Sequence, residues 1–376
     1  MSSGGRSRSP GHHAGQSSRA EDIPRGDGGA GVTQSDAHGE QNRSTITLAH
    51  VARHAGVSLA TASRALNGST RIVNPELKAR VEASARELNY TANVQAQAVA
   101  RGTSRTVSLV LGDIADPYFS AIAAGVMDAA SRHRFTVTMS GAGTEPEQVV
   151  ETIAALRGQR PAAVIVVGSR FVDEKTEAAI AGELRAVEQQ GGRVVLIGAR
   201  AGAFRAVPVL NAEGASALAD ALVERGHRDF AVLAGPTGLT TAADRAAGFL
   251  KGLAEHGIRP DASAIVTGGF SRDAGYRDML RLLDAGIRPG CVFAVTDVMA
   301  VGAMTAMRER GLAPGRDVAV AGFDDIEMLQ DVVPSLSTVS LPLRDLGERS
   351  LELALADDGA AAEPIRGTVT LRDSTP

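Results

Sequence analysis

Residues 47–67 read TLAHVARHAGVSLATASRALN, and this stretch predicts two short helices joined by a sharp turn. Apolar residues recur with helical spacing over Leu48–His54 and again over Leu59–Leu66. Gly56-Val57 supplies the turn, and Ser58 is placed to cap the second helix through its hydroxyl. The pattern is that of a helix-turn-helix, in which the second helix lies in the major groove of DNA.

A third helix is predicted from Asn74-Pro75, an N-cap followed by proline in the first helical position, to about Leu88. This part of the chain is also basic. Ser44–Arg105 contains eight Lys/Arg and three Asp/Glu, although the whole chain has a net charge of −4. A basic module on an acidic body is typical of proteins that bind a polyanion. A chance imbalance of surface charge would give the same count, so the prediction of DNA binding rests on the helix pattern and not on the charge.

From Thr106 onward the sequence alternates short apolar runs with amphipathic segments. This alternation predicts parallel β-sheets covered by helices on both faces. The number of runs favours two α/β lobes with a cleft between them, and ligands bind such sheets beyond the C-terminal ends of the strands. The apolar runs are Val107–Leu111, Ala163–Val167, Arg193–Ile197, Phe230–Leu233, Ser263–Val266, Cys291–Val295 and Val318–Ala321.

Residues 47–67 closely resemble the lactose-repressor (LacI/GalR) family of bacterial regulators, and the resemblance continues through Val81–Tyr90, Asn93–Gly102 and nearly the whole α/β region. It implies an N-terminal all-α helix-turn-helix DNA-binding domain followed by a two-lobed α/β effector domain of the periplasmic-binding-protein-like fold. The expected domains are a disordered tail at 1–43, the DNA-binding domain at 44–91, a hinge at 92–104 and an effector and dimerisation domain at 105–376. Within the effector domain, lobe 1 is expected at about 105–206 and 343–370, and lobe 2 at about 207–342.

The resemblance also implies which residues read DNA. Leu59, Ala60 and Arg64 occupy the base-reading positions, where an arginine can form a bidentate pair with guanine. The positions that mostly bind phosphates are occupied by Thr47, Ser58, Thr61, Ser63 and Asn67. Two alternatives stay open at this point: Arg64 could contact a phosphate or solvent, and Leu59 could pack against a neighbouring helix.

In the family the linker becomes a helix on the operator and pushes an apolar side chain between base steps of the minor groove, which kinks the DNA. Val99 holds that position here, where leucine is usual. A shorter, β-branched wedge is expected to insert less deeply. The alternative is that the linker is an unstructured tether.

The resemblance places an effector site between the lobes. Several segments carry it: Asp113–Phe119, Gly235-Pro236 with Arg245–Phe249, Ala294–Asp297 and Gly322–Asp325. The implied contacts are Phe119, Thr241, Arg245, Phe270, Thr296 and Asp324. A carboxylate opposite a guanidinium, with an aromatic face beside them, suits a sugar or related polyol. The alternatives are a structural ion pair for Arg245 and Asp324, and ordinary core packing for Phe270.

Other classes of protein are disfavoured. The α/β region has no Gly-x-Ser-x-Gly elbow, and the chain has neither a His-Glu-x-x-His motif nor a Gly-x-x-x-x-Gly-Lys loop, so no enzyme activity and no cofactor are expected. Cys291 is the sole cysteine, which excludes a disulfide within the chain. No apolar run reaches the length of a membrane span, and the N-terminus lacks the apolar stretch of a secretory signal.

These observations predict a cytoplasmic transcription regulator that acts as a repressor and binds double-stranded operator DNA. Two-fold symmetry of a homodimer, or of a larger even-numbered assembly, would match an inverted repeat. Its small-molecule effector is expected to be a sugar or related polyol. The main rival is a two-lobed sugar-binding protein of the transport type, which would need an export signal and no helix-turn-helix.

Overall fold

The computed structural model describes residues 46–67, 73–91, 104–143, 145–168, 171–198 and 204–376. The chain divides into two compact units between Tyr90 and Thr91. The expectations for the tail at 1–43 and for Val99 lie outside the described residues, as does most of the hinge at 92–104.

The first unit contains three short helices: α1 (Leu48–His54), α2 (Leu59–Asn67) and α3 (Pro75–Glu87). They enclose a small core in which Val51, Ala62 and Val81 are fully buried. These bounds agree with the predicted ones to within a residue, because helical spacing and caps are local features of a sequence. The turn between α1 and α2 requires Gly56, whose φ of +63° lies in the left-handed region that favours glycine.

Side chains satisfy free backbone N–H groups where the helices begin. Ser58 Oγ accepts a hydrogen bond from Thr61 N at 3.1 Å, as predicted for the cap of α2. At α1 the acceptor is instead a histidine, because Thr47 N donates to His50 Nδ1 at 3.2 Å. At α3 Asn74 Oδ1 accepts from Glu76 N at 2.9 Å.

Replacing Asn74 with alanine is expected to lower the free energy of unfolding of the first unit by about 1 kcal/mol, because a free N–H of α3 loses its acceptor. Urea denaturation followed by circular dichroism measures this change. Lys78→Ala is the matched control on the same helix, since it removes an exposed pair with Glu82 and should change stability by less than about 0.5 kcal/mol. Equal effects of the two substitutions would contradict the capping role.

The second unit begins with a five-stranded, all-parallel sheet in the order β2-β1-β3-β4-β5. Its strands are β1 (Thr106–Leu111), β2 (Thr136–Gly141), β3 (Ala163–Val167), β4 (Arg193–Ile197) and β5 (Arg205–Val207). The helices in this part of the chain are α4 (Pro117–His133), α5 (Pro146–Arg157) and α6 (Glu174–Gln189). Together they form lobe 1.

Lobe 2 is built on a four-stranded, all-parallel sheet in the order β7-β6-β8-β9. Its strands are β6 (Phe230–Gly235), β7 (Ile265–Thr267), β8 (Cys291–Ala294) and β9 (Ala319–Ala321). The helices that accompany it are α7 (Asn211–Glu224), α8 (Thr240–Glu255), α9 (Arg272–Asp284) and α10 (Asp297–Glu309).

The chain crosses between the lobes three times: between β5 and α7, between β10 (Thr338–Ser340) and α11 (Leu343–Leu355), and between α11 and β11 (Thr368–Thr370). Helix α11 returns to lobe 1, where Glu348 pairs with Arg132 of α4. Strand β11 is antiparallel to β10, and the segment after it adds Ser374 O as the acceptor for Val320 N of lobe 2. The second segment of lobe 1 was expected at 343–370. This range includes Thr368–Thr370, which pair with β10 and do not pack on lobe 1.

Within the described residues, every helix is too short or too polar to form a membrane span.

Candidate functional site

One face of α2 in the first unit is exposed, and the predicted base-reading residues begin there. Leu59 is 54% exposed, so more than half of the residue is not covered by a neighbouring helix. Ser58 and Ala60 beside it are also exposed, whereas Ala62 on the opposite face is buried. The N-terminal end of α2 therefore presents side chains outward, as a helix that enters a DNA groove has to do.

Arg64 lies one turn further along α2. Its Nε donates to Ala60 O at 3.0 Å, so the stem of the side chain lies along the helix. Thr61 and Ser63 are half-buried beside it and Thr47 is exposed. Asn67 is the last residue of α2, and its side chain lies outside what the structure describes.

A small cavity of about 30 Å³ lies between the two lobes of the second unit, and all six predicted effector contacts line it. We call it the polar cavity, because seven of its twelve lining residues carry polar side chains. The six predicted contacts are Phe119, Thr241, Arg245, Phe270, Thr296 and Asp324. They follow different strands of two parallel sheets, and the fold brings them together. Sequence reasoning missed six further lining residues: Asp116, Tyr118, Gly168, Gly198, Val209 and Asn211. Asp116 and Tyr118 belong to the quoted loop motif, so a signal for these two was present.

Arg245 and Asp324 form a buried ion pair in the wall of this cavity. Arg245 Nη2 lies 2.7 Å from Asp324 Oδ1, and the two side chains are only 3% and 4% exposed. Arg245 also donates from Nε to Asn211 Oδ1 at 2.9 Å and from Nη1 to the Val295 carbonyl at 2.8 Å. The ring of Phe323 lies 3.9 Å from its guanidinium carbon. The pair thus links segments of lobe 2 and also lines the cavity, so the structural alternative and the binding role are compatible.

Aromatic rings form another side of the cavity. Tyr118 and Phe119 meet edge to face with ring centroids 5.1 Å apart, at the start of α4 in lobe 1. Phe270, which follows β7 of lobe 2, is half-buried; it packs against the apolar core and also contributes to the wall of the cavity. Rings from both lobes can therefore contact the apolar side of a ligand that lies between them.

A second aspartate, Asp297, holds the loop that presents Asp324. Its Oδ1 accepts from Thr338 Oγ1 at 2.7 Å and its Oδ2 accepts from Ile326 N at 3.1 Å. The loop needs this support, because Asp324 and Asp325 have φ values of +122° and +60°, which residues that carry a side chain rarely adopt. Asp297 therefore positions Asp324 against Arg245.

Burial shifts the acidity of both aspartates. It raises the pKa of Asp297 to about 8, with the Asp324 charge adding to the effect and the hydrogen bond from Thr338 opposing it. Burial also raises the pKa of Asp324 to about 7, and the Arg245 charge opposes that rise. The pKa of both carboxyl groups is therefore raised by burial, and for Asp324 the ion pair with Arg245 limits the rise.

Asp297→Asn is expected to flatten the pH dependence of stability. A pKa raised on folding stabilises the protein at low pH, and this contribution is lost as the pH rises through the folded value of about 8. The free energy of unfolding of the wild type should therefore fall between pH 5 and pH 8 by at least about 1 kcal/mol more than that of the variant. Urea denaturation at both pH values measures the difference, and parallel curves would contradict the assignment.

Two histidines of the second unit make structural contacts with acidic side chains. His133 Nε2 lies 3.0 Å from Glu352 of α11, and His256 Nε2 lies 2.9 Å from Asp220 of α7. Cys291 is buried in β8, and burial raises the pKa of its thiol, which makes it inert.

Two segments of the chain match known families. Residues 47–93 match the bacterial regulatory proteins of the lacI family, and residues 219–375 match the periplasmic binding protein-like domain. The first match covers the three-helix unit together with the start of the linker. The second covers most of lobe 2 and continues to the last residues of the chain.

Whole-chain similarity agrees with these matches. The HTH-type transcriptional regulator GalS of Salmonella typhimurium is 34% identical over 84% of this chain and 90% of its own length. The HTH-type transcriptional repressor CytR of Escherichia coli is 30% identical over 84% of this chain and 91% of its own length. The crystal structure of the lac repressor dimer bound to operator and the anti-inducer ONPF superposes with a TM-score of 0.73 at 28% identity, covering 88% of this chain and 99% of that one. The chain therefore belongs to the LacI family of bacterial regulatory proteins.

Proposed function

We propose that this protein is a sequence-specific DNA-binding transcriptional regulator, a repressor, whose affinity for its operator is controlled by a small polar effector. The observation that carries the proposal is the combination in one chain of an outward-facing α2 with a polar cavity between two lobes. A transport-type binding protein would have no use for the first unit, and the relatives above are transcription regulators, not enzymes.

On the DNA side, Leu59, Ala60 and Arg64 are proposed to contact base edges in the major groove. Phosphate contacts are assigned to Thr47, Ser58, Thr61, Ser63 and Asn67. Hydroxyl groups and amides suit this task, because they donate to phosphate oxygens and set the register of the protein on DNA. Val99 is proposed as the minor-groove wedge. In this proposal residues 44–91 read the DNA, 92–104 act as the hinge and 105–376 bind the effector and dimerise.

On the effector side, a sugar or related polyol is the proposed ligand. The carboxylate of Asp324 can accept hydrogen bonds from ligand hydroxyl groups, and Arg245 has N–H groups beyond the three that its present contacts use. Thr241 and Thr296 add hydroxyl groups to the wall, and Phe119 and Phe270 supply ring faces. Because both lobes contribute, a ligand in the cavity changes the relative free energies of the lobe arrangements.

We further propose a cytoplasmic homodimer, or a larger even-numbered assembly, on an inverted-repeat operator. The lac repressor, which superposes on 88% of this chain, was solved as a dimer bound to operator. One helix-turn-helix reads only a few base pairs, so two copies related by two-fold symmetry are needed for a specific site.

The test uses the full chain and an operator selected from random DNA. Footprinting should show two protected half-sites about one helical turn apart, related by two-fold symmetry. A thermal-shift screen of sugars, polyols and nucleosides should then find a ligand that changes operator affinity in fluorescence anisotropy at fixed salt. Protection of one half-site by a monomer, or operator affinity that no stabilising ligand changes, would overturn the proposal.

A further inference from the structure

Among the described residues, three charged side chains line the polar cavity, and two of them neutralise each other. Arg245 and Asp324 form the buried ion pair, and Arg245 gives its remaining hydrogen bonds to an amide and a carbonyl of lobe 2. The third charged side chain is Asp116, which lies directly before α4 in lobe 1. The wall of the cavity therefore holds two carboxyl groups and one guanidinium, and the cation is already paired.

The carboxyl group of Asp116 caps α4 with one of its two oxygens. Oδ1 accepts a hydrogen bond from Tyr118 N at 2.9 Å, and the group makes no hydrogen bond to any other described residue. Burial raises the pKa of Asp116, the hydrogen bond from Tyr118 opposes the rise, and the charges of Asp113 and Arg245 act in opposite directions. The net rise is typical of a half-buried carboxylate without a full counter-charge. Its Oδ2 can accept a hydrogen bond from a ligand.

Aromatic rings from both lobes line the same cavity. Tyr118 and Phe119 follow Asp116 at the start of α4, and Phe270 comes from lobe 2. The face of an aromatic ring attracts a cation, and a carboxylate forms a charge-assisted hydrogen bond with an ammonium group. The other polar side chains of the wall are neutral, namely Asn211, Thr241 and Thr296. The combination favours a ligand with one positive group and several hydroxyl groups.

The size of the cavity is compatible with such a group. A volume of about 30 Å³ accepts a group of the size of water, and a protonated amino group has that size. A metal ion is a poor alternative, because the described residues contain no group of three His, Cys, Asp or Glu side chains that could hold one. The body of a larger ligand requires the lobes to open further, so its binding shifts the balance between lobe arrangements.

We propose that the effector carries an ammonium group, which pairs with the carboxylate of Asp116, and that its hydroxyl groups bind the neutral polar side chains of the wall. The chemical class is an amino sugar or an amino polyol. A neutral sugar would leave the Asp116 charge without a partner when the lobes close and exclude water, which costs free energy. This inference rests on the proposed function, since it names the class of ligand for the same cavity.

Matched ligands test the proposal in the full-length wild type. Glucose, galactose and mannose are each compared by calorimetry with their 2-amino and 6-amino derivatives, at a slightly acidic pH that keeps the amino groups protonated. At least one amino sugar should bind about ten times more tightly than its hydroxyl partner, because a hydrogen bond to a charged group contributes more than a neutral one. A panel in which no amino sugar gains over its partner, or in which nothing binds, overturns the proposal.

Asp116→Asn removes the charge and keeps the cap, because asparagine caps a helix as well as aspartate does. In this variant the best amino sugar and its hydroxyl partner should bind with affinities within about twofold of each other. Asp116→Ser, which also preserves a cap, should give the same result. An advantage of the amino sugar that persists in both variants overturns the proposal.

Asp173→Asn is the matched control. Asp173 caps α6 in lobe 1, where its Oδ2 accepts from Thr176 N at 2.7 Å, and it does not line the polar cavity. The same substitution there removes an equal charge from an equivalent cap, so the advantage of the amino sugar should remain. A loss of the advantage in Asp173→Asn equal to that in Asp116→Asn would show a general charge effect and overturn the assignment to Asp116.

Operator binding distinguishes this inference from the proposed function. The same ligands are added to the full chain on its selected operator, and anisotropy is measured at fixed salt. If neutral sugars change operator affinity and no amino sugar binds better than its partner, the inference fails while the proposed function stands. If amino sugars bind through Asp116 and no ligand changes operator affinity, the proposed function fails while the site for an ammonium group stands.

Discussion

Asp324→Ala is expected to lower the free energy of unfolding of the second unit by about 3–5 kcal/mol and to abolish the response to effector. The substitution leaves the Arg245 guanidinium buried, at 2% exposure, without the carboxylate that compensates its charge. The remaining acceptors of Arg245 are the Asn211 amide and the Val295 carbonyl, which are neutral. Urea denaturation measures the stability, and anisotropy on operator DNA measures the ligand response.

Two further variants separate charge from shape. Asp324→Asn keeps an acceptor for Arg245 and tolerates the positive φ, so we expect a smaller loss of stability than with alanine. Arg245→Met combined with Asp324→Asn removes both charges and should be more stable than Asp324→Ala alone, because no uncompensated charge stays buried. An Asp324→Ala protein within about 1 kcal/mol of the wild type would show that Arg245 is already well solvated.

Arg64→Ala is expected to weaken operator binding by about 1–3 kcal/mol, which is about fivefold to more than a hundredfold, and to relax specificity at one base pair. The reason is the loss of a bidentate contact to guanine from the outward-facing part of α2. Binding to scrambled DNA should change far less, because it depends on the sum of phosphate contacts. Fluorescence anisotropy on both DNAs, at one salt concentration, measures the ratio of affinities.

Arg80→Ala is the matched control for this experiment. Arg80 is exposed on α3 and carries the same charge, so its removal should weaken binding to operator and scrambled DNA by equal factors. If Arg64→Ala also lowers both affinities equally, Arg64 is a phosphate contact, which is the alternative left open by the sequence. Effector affinity of the free protein should be unchanged in both variants.

Parts of the fold that depend on local spacing were predictable from the sequence. The three helices of the first unit and strands such as Arg193–Ile197 match their predicted bounds closely. One apolar run is displaced: strand β7 covers Ile265–Thr267 where Ser263–Val266 was predicted, because Ala262–Ala264 form a 3₁₀ turn. Strand β2 was missed, since the edge of the sheet is partly exposed and its polar residues break the apolar run. Strands of three residues, such as β5 and β10, are too short to give a periodic signal.

By itself the sequence determined the helix-turn-helix, the alternation of strands and helices, and the residue types at the strand ends. No local pattern brings Phe119 and Asp324 together, because they are far apart in the chain; the family resemblance implied that they share a site, and the tertiary structure shows both in the wall of one cavity. Parallel strands place their carboxyl ends on one edge, but strand order and the three crossings select which ends meet. The role of Asn211 in holding Arg245 and the shape of the cavity between the lobes depend on packing between distant segments. No periodicity encodes them, because a cavity is defined by the volume that many separate side chains leave unfilled.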